Sequence, residues 1–375
     1  MIGKISVSTD ALRENAKALS ALIAPAKAAF VVKANGYGHG AVETALAIEP
    51  LAHRICVYAA EEGLELREGG ITAPILVMGP VPQRLLREAH LRKLEIALWD
   101  TGSYLRALAA AAHVQHGAFP VHVKINTGVA RLGLEIRDAA DALEDFARLG
   151  ELSVAGIFSH LASAEELDSP FTLGQLERFE RVLASTQPLF ANKRVQPLRH
   201  IAASAAAMLW PQTRLDMVRF GIALYGLWPS PQTQGAMRES ELRLRPALSY
   251  TSELVVIRQV EAGTPIGYGG SYRAPRSTRI GIVPLGYAKG IPRALSNRGF
   301  FLVRGARCPI VGRVCMNMTM IDLAASPAAA VGDEVTLIGT NGAAQVSADD
   351  WASWSETINY EIVTRLPPTI PREYV

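Results

Sequence analysis

Eight short runs of apolar, β-prone residues recur through the first 225 residues, and stretches rich in Ala, Leu and Glu with helical periodicity lie between them. The runs are AAFVVK (28–33), RICVY (54–58), ILVMG (75–79), LEIAL (94–98), PVHVKIN (120–126), SVAGIFS (153–159), LRHIA (198–202) and DMVRF (216–220). EEGLELREG (61–69) and GQLERFERVLAS (174–185) are clear helical intervals. Parallel strands covered by helices are buried on both faces, so they read as near-continuous apolar runs. Eight of them alternating with helices is the count of an α/β fold of the (β/α)8 TIM-barrel type. A doubly wound open sheet is the competing arrangement.

Beyond about Trp228 the texture changes. Residues 229–242 begin PSPQTQGAMRESE, polar and irregular, and read as a linker. From 243 to 375 come strand-like runs without long helices between them: SELVVIRQV, RIGIVPLGY, FFLVRGARCPIVGRV, MTMIDL and DEVTLIG. That pattern predicts a mostly-β second domain following a barrel over 1–228. Its one helical stretch is SADDWASWSETI (347–358), where Ser347 and Asp350 have the spacing of a capping box.

Composition narrows the function classes. A net charge of +3 over 375 residues is too weak a field for a nucleic-acid or membrane-surface partner. The long uncharged stretch 107–123 is broken by His113, Gln115, His116, Gly117 and Pro120, unlike a membrane span. MIGKISVSTD has no apolar signal-peptide core. Three cysteines, Cys56, Cys308 and Cys315, lack the spacing of a zinc site or a disulfide framework, so no metal is expected. A cytoplasmic enzyme fits these bounds.

In barrels of this type the chemistry gathers at the C-terminal ends of the strands. Lys33 ends the first run, Lys124 and Arg131 flank the exit of the fifth, and His160 follows the sixth. His200 and Ser204 belong to the seventh, and Arg219 closes the eighth. Each alone reads as a solvated cap or a packing residue, whereas together they mark one rim. Ser204 opens a short helical segment and Gly221 frees the backbone, a combination suited to a phosphate. A rim lysine facing a phosphate site admits two readings. One is a phosphorylated sugar held through a Schiff-base lysine; the other is pyridoxal phosphate (PLP) held by its aldehyde on Lys33.

The motifs VVKANGYGHG, KINTGVARLG, HIAASAA, DMVRFGIALYGL, GYGGSY, PLGYAKGIPRALS and VGRVCMNMTMIDL, in this order, resemble those of the alanine racemases. The resemblance runs the length of the chain. It implies a PLP-dependent homodimer whose active sites lie between subunits, acting on a small amino acid and supplying D-alanine for peptidoglycan. It also implies roles. Lys33 carries PLP and exchanges a proton on one face of the substrate Cα, and Tyr268 of the partner subunit acts on the other face. Arg219, oriented by His200, faces the pyridine nitrogen, and His160 hydrogen-bonds Tyr268. Tyr37, Ser204, Gly221 and Ile222 hold the phosphate. Arg131 and the partner's Met316 bind substrate, the partner's Tyr287 and Arg313 line the entrance, and Lys124 is the candidate for carbamylation. His39 receives no chemical role.

Two bases on opposite faces suit racemisation, which removes a proton from one side of Cα and returns one to the other. An arginine, always protonated, leaves the pyridine nitrogen unprotonated and weakens the electron sink, which disfavours transamination. From spacing alone Tyr272 or Tyr287 would serve as well as Tyr268. Ala203, Lys289 and Pro368 stand where relatives often carry Asn, Asp and Tyr, and loss of that tyrosine predicts a wider substrate entrance. A broader amino-acid or serine racemase is the nearest alternative reading. A barrel-type decarboxylase would place a carboxylate where Arg219 stands, and a non-catalytic PLP-binding protein would lack residues 243–375.

Overall fold

The computed structural model describes residues 3–113, 117–191, 193 and 196–375. Part of the uncharged stretch 107–123, residues 114–116, therefore lies outside the described residues. The chain packs as two units. One comprises Ala11–Gly36 and Ala41–Pro246; the other comprises Met1–Asp10, Tyr37–Gly40 and Ala247–Val375.

The first unit is the barrel. Its strands are β1 (Lys27–Val31), β2 (Arg54–Val57), β3 (Ile75–Val77), β4 (Leu94–Leu98), β5 (Phe119–Asn126), β6 (Leu152–Phe158), β7 (Leu198–His200) and β8 (Met217–Phe220). They pair in parallel in the order β8-β1-β2-β3-β4-β5-β6-β7. Closure comes from Arg219 N–H donating to Ala202 O at 3.1 Å, beside a parallel bridge between Ala203 and Arg219. All eight expected strands are present, most of them ending one or two residues earlier than the apolar runs. The runs overshoot because apolar residues continue into buried strand-end turns, as Val32 does with no exposed surface. Helix Pro170–Phe190 contains one of the intervals read as helical, and helix Ala60–Glu68 covers the other except for Gly69, which caps its end.

One irregularity bears on the interior. Between β5 and β6 the register shifts after Val121↔Val154, so that His122 pairs with Gly156. A bulge of this kind bends a strand and re-aims its side chains.

In the second unit, a seven-stranded sheet is built around Leu248–Glu253 and Glu334–Asn341. A three-stranded sheet of Val256–Val260, Thr278–Val283 and Thr319–Asp322 packs over a core that includes Ile280, Val311 and Met320. Lys4–Val7 joins the larger sheet, antiparallel to Leu248–Glu253 and parallel to Arg372–Tyr374. Helix Ala348–Ser355 starts with the anticipated cap: Asp350 N–H donates to Ser347 Oγ at 3.0 Å and Ser347 N–H to Asp350 Oδ2 at 2.7 Å.

Two expectations need correction. A second helix, Asn359–Thr364, follows in this unit, its inner face filled by Ile362 and Val363. The stretch read as irregular linker holds one helical segment, Pro231–Ala236. Ser230 caps it by accepting from Thr233 N–H at 3.1 Å, with Pro231 at the first position, so short-range capping overcomes a polar composition. Among the described residues no helix is long and apolar enough to cross a membrane.

Candidate active site

Lys33 lies two residues past β1, at the start of a turn with left-handed backbone. Ala34, Asn35 and Gly36 have φ of 54°, 53° and 58°. Left-handed backbone costs a non-glycine residue about 1–2 kcal/mol, so neighbouring contacts must hold the turn. Gly36 N–H donates to Val32 O at 2.8 Å, and Ala41 N–H donates to Asn35 Oδ1 at 3.1 Å. Glu62, in the first turn of helix Ala60–Glu68, ties this loop to the next one. Its Oε1 accepts from Ala34 N–H at 2.6 Å; its Oε2 accepts from Tyr58 N–H at 2.8 Å and Ala59 N–H at 3.0 Å. The sequence reading gave Glu62 no role.

Burial, reinforced by the positive charge of Arg131, lowers the Lys33 pKa, and Glu62 opposes the shift. Lys124 is buried within β5, its ammonium 5.5 Å from the centre of the Phe158 ring. Burial first, then Arg131, Arg219 and Lys33, brings its pKa down to about 8. No carboxylate pairs with Lys124 among the described residues. The loop carrying Arg131 is shaped by Asn126, whose Oδ1 accepts from Gly128 N–H at 3.2 Å and Ala130 N–H at 3.0 Å. Lys33, Lys124, Arg131 and Arg219 thus form a group of cations whose mutual fields call for an anion.

Arg219 is the most constrained of the four. Only 4% exposed, it donates to Ser159 O at 2.8 Å, Ile201 O at 3.1 Å, His200 O at 3.2 Å and His200 Nδ1 at 2.6 Å. Burial lowers its pKa to about 10, so it remains a cation at neutral pH. His160 Nδ1 lies 3.4 Å from the same guanidinium. Burial and the surrounding cations push its pKa to about 3, leaving it neutral. Ser204 begins helix Ser204–Leu209 and its Oγ accepts from Gly221 N–H at 3.2 Å. Ile222 opens the following helical turn. The structure therefore gathers Lys33, Lys124, Arg131, His160, His200 and Arg219 by contact or electrostatic field. It also joins Ser204 to Gly221.

The remaining candidates lie in the second unit. Tyr37 is buried against Tyr360, ring centres 6.3 Å apart, and its carbonyl meets His39 Nδ1 at 3.0 Å. Arg372 donates to Gly38 O at 2.9 Å and Tyr374 to His39 O at 3.2 Å, so the end of the chain secures this turn. His39 is thus a bracing residue of the turn. Tyr268 is 70% exposed in the turn between the short strands Pro265–Ile266 and Tyr272–Arg273. A Cβ added at Gly269 would lie 3.4 Å from the Arg313 guanidinium. Tyr287 N–H donates to Cys315 O and Ala288 N–H to Met316 O. Through the segment 313–316, Tyr268, Tyr287, Arg313 and the exposed Met316 share one edge of this unit.

Profiles of known families match both parts of the chain. The alanine racemase N-terminal domain covers residues 7–229 and the alanine racemase C-terminal domain covers 247–374. The chain belongs to the alanine racemase family. Its relatives include the alanine racemase of Desulfosudis oleivorans, 39% identical over 98% of this chain and 95% of that one. That of Symbiobacterium thermophilum is 40% identical over 98% and 96%. Among solved structures, alanine racemase from a D-cycloserine-producing Streptomyces lavendulae superposes with a TM-score of 0.93 at 34% identity, covering 100% of this chain and 97% of that one. Alanine racemase from Bartonella henselae, solved with covalently bound pyridoxal phosphate, gives 0.86 at 26% identity over the whole of both chains.

Three further polar residues escaped the sequence reading although they sit inside strands it identified. Glu95 in β4 and His122 in β5 are buried, and Arg54 at the start of β2 is largely so. The signal was a charged or ionisable residue within an otherwise apolar parallel strand, which is uncommon unless partnered.

Proposed function

We propose that this chain is a PLP-dependent alanine racemase that interconverts L- and D-alanine and supplies D-alanine for peptidoglycan. The observation that carries the reading is the deprotonation-prone Lys33, set on a braced left-handed turn within a group of cations. An aldehyde requires a neutral amine, and the cofactor phosphate and substrate carboxylate provide anions for the surrounding cations. When bound, PLP supplies the electron sink that makes the substrate Cα–H acidic.

Lys33 would hold the cofactor through its aldehyde and would take or return a proton on one face of the substrate Cα. Ser204, Gly221, Ile222 and Tyr37 would hold the phosphate. Arg219 would offer a fixed N–H to the ring nitrogen and would keep that nitrogen unprotonated. On the opposite face Tyr268 of a second copy acts as the other base, which makes the homodimer the active unit, with residues 243–375 completing the partner's site. With Nδ1 turned towards Arg219, neutral His160 keeps its proton on Nε2 and can donate to the Tyr268 oxygen. Arg131 and the Met316 backbone N–H bind substrate, and Tyr287 and Arg313 line its entrance. Lys124 becomes a carbamate, an anion among cations that steadies Arg131. The enzyme works in the cytoplasm.

A broader-specificity racemase is the second reading. Pro368 presents no side-chain hydroxyl, and Lys289 Nζ reaches Thr369 Oγ1 in the same loop at 3.4 Å. Chiral analysis of products from a panel of L-amino acids, with PLP added, tests both readings. Alanine turning over fastest supports the first, a bulkier or polar substrate turning over fastest supports the second, and no racemisation of any member refutes both.

A further inference from the structure

The Arg219–His200 contact is one end of a longer chain of buried side chains inside the barrel. His200 Nε2 lies 2.9 Å from His122 Nδ1, and His122 Nε2 lies 3.0 Å from Glu95 Oε2. Arg54 closes the chain on Glu95 with two bonds, Nε to Oε2 at 2.6 Å and Nη2 to Oε1 at 3.0 Å. Both histidines are fully buried and Glu95 is 8% exposed.

The donors and acceptors along this chain admit one self-consistent assignment. Arginine only donates, so His200 Nδ1 must accept, and neutral His200 carries its proton on Nε2. That proton is donated to His122 Nδ1, which places the His122 proton on Nε2, aimed at the Glu95 carboxylate. Protonating either histidine fully would set two N–H groups head to head. Burial lowers the pKa of both histidines, with Glu95 opposing at His122. Burial alone would raise the Glu95 pKa, yet bonds from His122 and Arg54 bring it down to about 2.

The backbone is shaped around this chain. The bulge between β5 and β6 sets Gly156 opposite His122, where an added Cβ would fall 2.2 Å from His122 Nδ1. Phe158 lies parallel to the His200 ring, centres 4.9 Å apart, with Arg219 over the same phenyl ring at 5.4 Å.

We propose that Glu95 and His122 are positioning residues that lock His200 in its Nε2–H tautomer and thereby hold Arg219 in the orientation racemisation requires. The inference rests on the placing of Arg219 against the cofactor ring nitrogen. If the lock is broken, His200 can turn an Nδ1–H towards Arg219, and the guanidinium moves off its mark. The ring nitrogen can then gain a proton, which strengthens the electron sink and opens transamination. In that side reaction the amino group passes to the cofactor, which is reduced by two electrons. Alanine, oxidised by two electrons, leaves as pyruvate, with its new carbonyl oxygen supplied by water.

The test has two arms. In the first, ring ¹⁵N shifts of [¹⁵N]histidine-labelled, cofactor-free protein report tautomers. His122 and His200 should both be neutral Nε2–H forms from pH 6 to 9, and in His122→Phe the His200 signal should lose that single form. A wild-type His200 that is protonated or Nδ1–H overturns the lock. In the second, the holoenzyme's pyruvate-to-racemisation ratio is measured for His122→Phe, Glu95→Gln and Gly156→Ala, whose new Cβ would displace the His122 ring. We expect a rise of about tenfold or more in His122→Phe, with kcat falling and KM for alanine little changed. An unchanged ratio in every variant that folds, whatever its melting temperature, means the chain only stabilises the barrel and overturns the proposal. Arg219→Glu is the control: if it leaves the ratio unchanged, the reading of Arg219 is at fault, whereas the tautomer arm stands independently.

Discussion

Glu62→Ala tests whether the turn bearing Lys33 is held from outside. The substitution strips acceptors from three backbone N–H groups, those of Ala34, Tyr58 and Ala59. A hydrogen bond to a charged group contributes about 1.5–3 kcal/mol when its partner is left dry. These groups are partly exposed, so water recovers much of that, and the loss should total about 2–3 kcal/mol. Against it stands the left-handed Ala34, which stores about 1–2 kcal/mol of backbone strain. The tether and the strain are of similar size, so removing the tether should let the turn relax and carry Lys33 away from its place. A loss of 2–3 kcal/mol corresponds to a fall in melting temperature of about 3–6 °C in a chain of this size. The decisive assay is cofactor retention: purified protein is passed through gel filtration, and bound PLP is read from its absorbance. Glu62→Ala should retain several-fold less than the wild type. Glu62→Gln, whose one carbonyl oxygen can serve Ala34 or the Tyr58–Ala59 pair but not both, should fall between. Wild-type retention in Glu62→Ala, with a lowered melting temperature, would show that the turn holds itself and would refute the reasoning.

Borohydride reduction of the holoenzyme followed by peptide mapping should place PLP on Lys33, and label on Lys124 instead would reverse the roles of the two lysines. Mixing inactive Lys33→Ala and Tyr268→Phe chains should restore part of the activity in heterodimers, and no recovery after proven subunit exchange argues against a site shared between copies. Lys124, with a folded pKa of about 8 against an ordinary 10.5, binds fewer protons folded than unfolded between those values. Its contribution to stability therefore rises from pH 8 to pH 10.5 and is lost as pH falls back through that window. The same shift makes its amine available near pH 8, so intact mass in bicarbonate should show one added carbon dioxide that Lys124→Met lacks; an unmodified wild type sinks that assignment. Gly38→Ala should destabilise by more than about 1 kcal/mol, because φ there is +83° and the new Cβ would fall 2.0 Å from the Val363 carbonyl oxygen. An unchanged denaturation midpoint would contradict it.

The barrel was legible because parallel strands buried on both faces leave uninterrupted apolar runs, as FVV and ICV do. Lys33 and Arg219 were legible as rim residues for the same reason, since a cation closing such a run is conspicuous. The turn after Lys33 was only half legible. Asn35 and Gly36 are natural left-handed residues, but Ala34 and Tyr37 adopt positive φ under forces from residues distant in sequence, which no local pattern records. Glu62 looked like an ordinary helix-surface carboxylate; its acceptors point at loops rather than at solvent. Glu95 and His122 were hidden by the strategy that found their strands, since LEIAL and PVHVKIN were read for their apolar content. Lys4–Val7 was missed because KISV is short and both its pairing partners lie in the last 130 residues.

That strand sets an order of events during synthesis. Lys4–Val7 lies between Leu248–Glu253 and Arg372–Tyr374, and Thr9 bonds to Val375 across 366 positions of chain. At about 5–20 residues per second on the ribosome, the ribosome needs about 20–70 s to make that much chain. Throughout this time the barrel can close behind a leading segment whose backbone groups have no sheet to join. Such an unpaired edge is a site where nascent chains adhere to one another, and Lys4 puts a charge on it. Variants truncated before Arg372 would leave one side of that strand open in the finished protein as well. Their yield of soluble protein should therefore fall further than the loss of a three-residue strand would indicate.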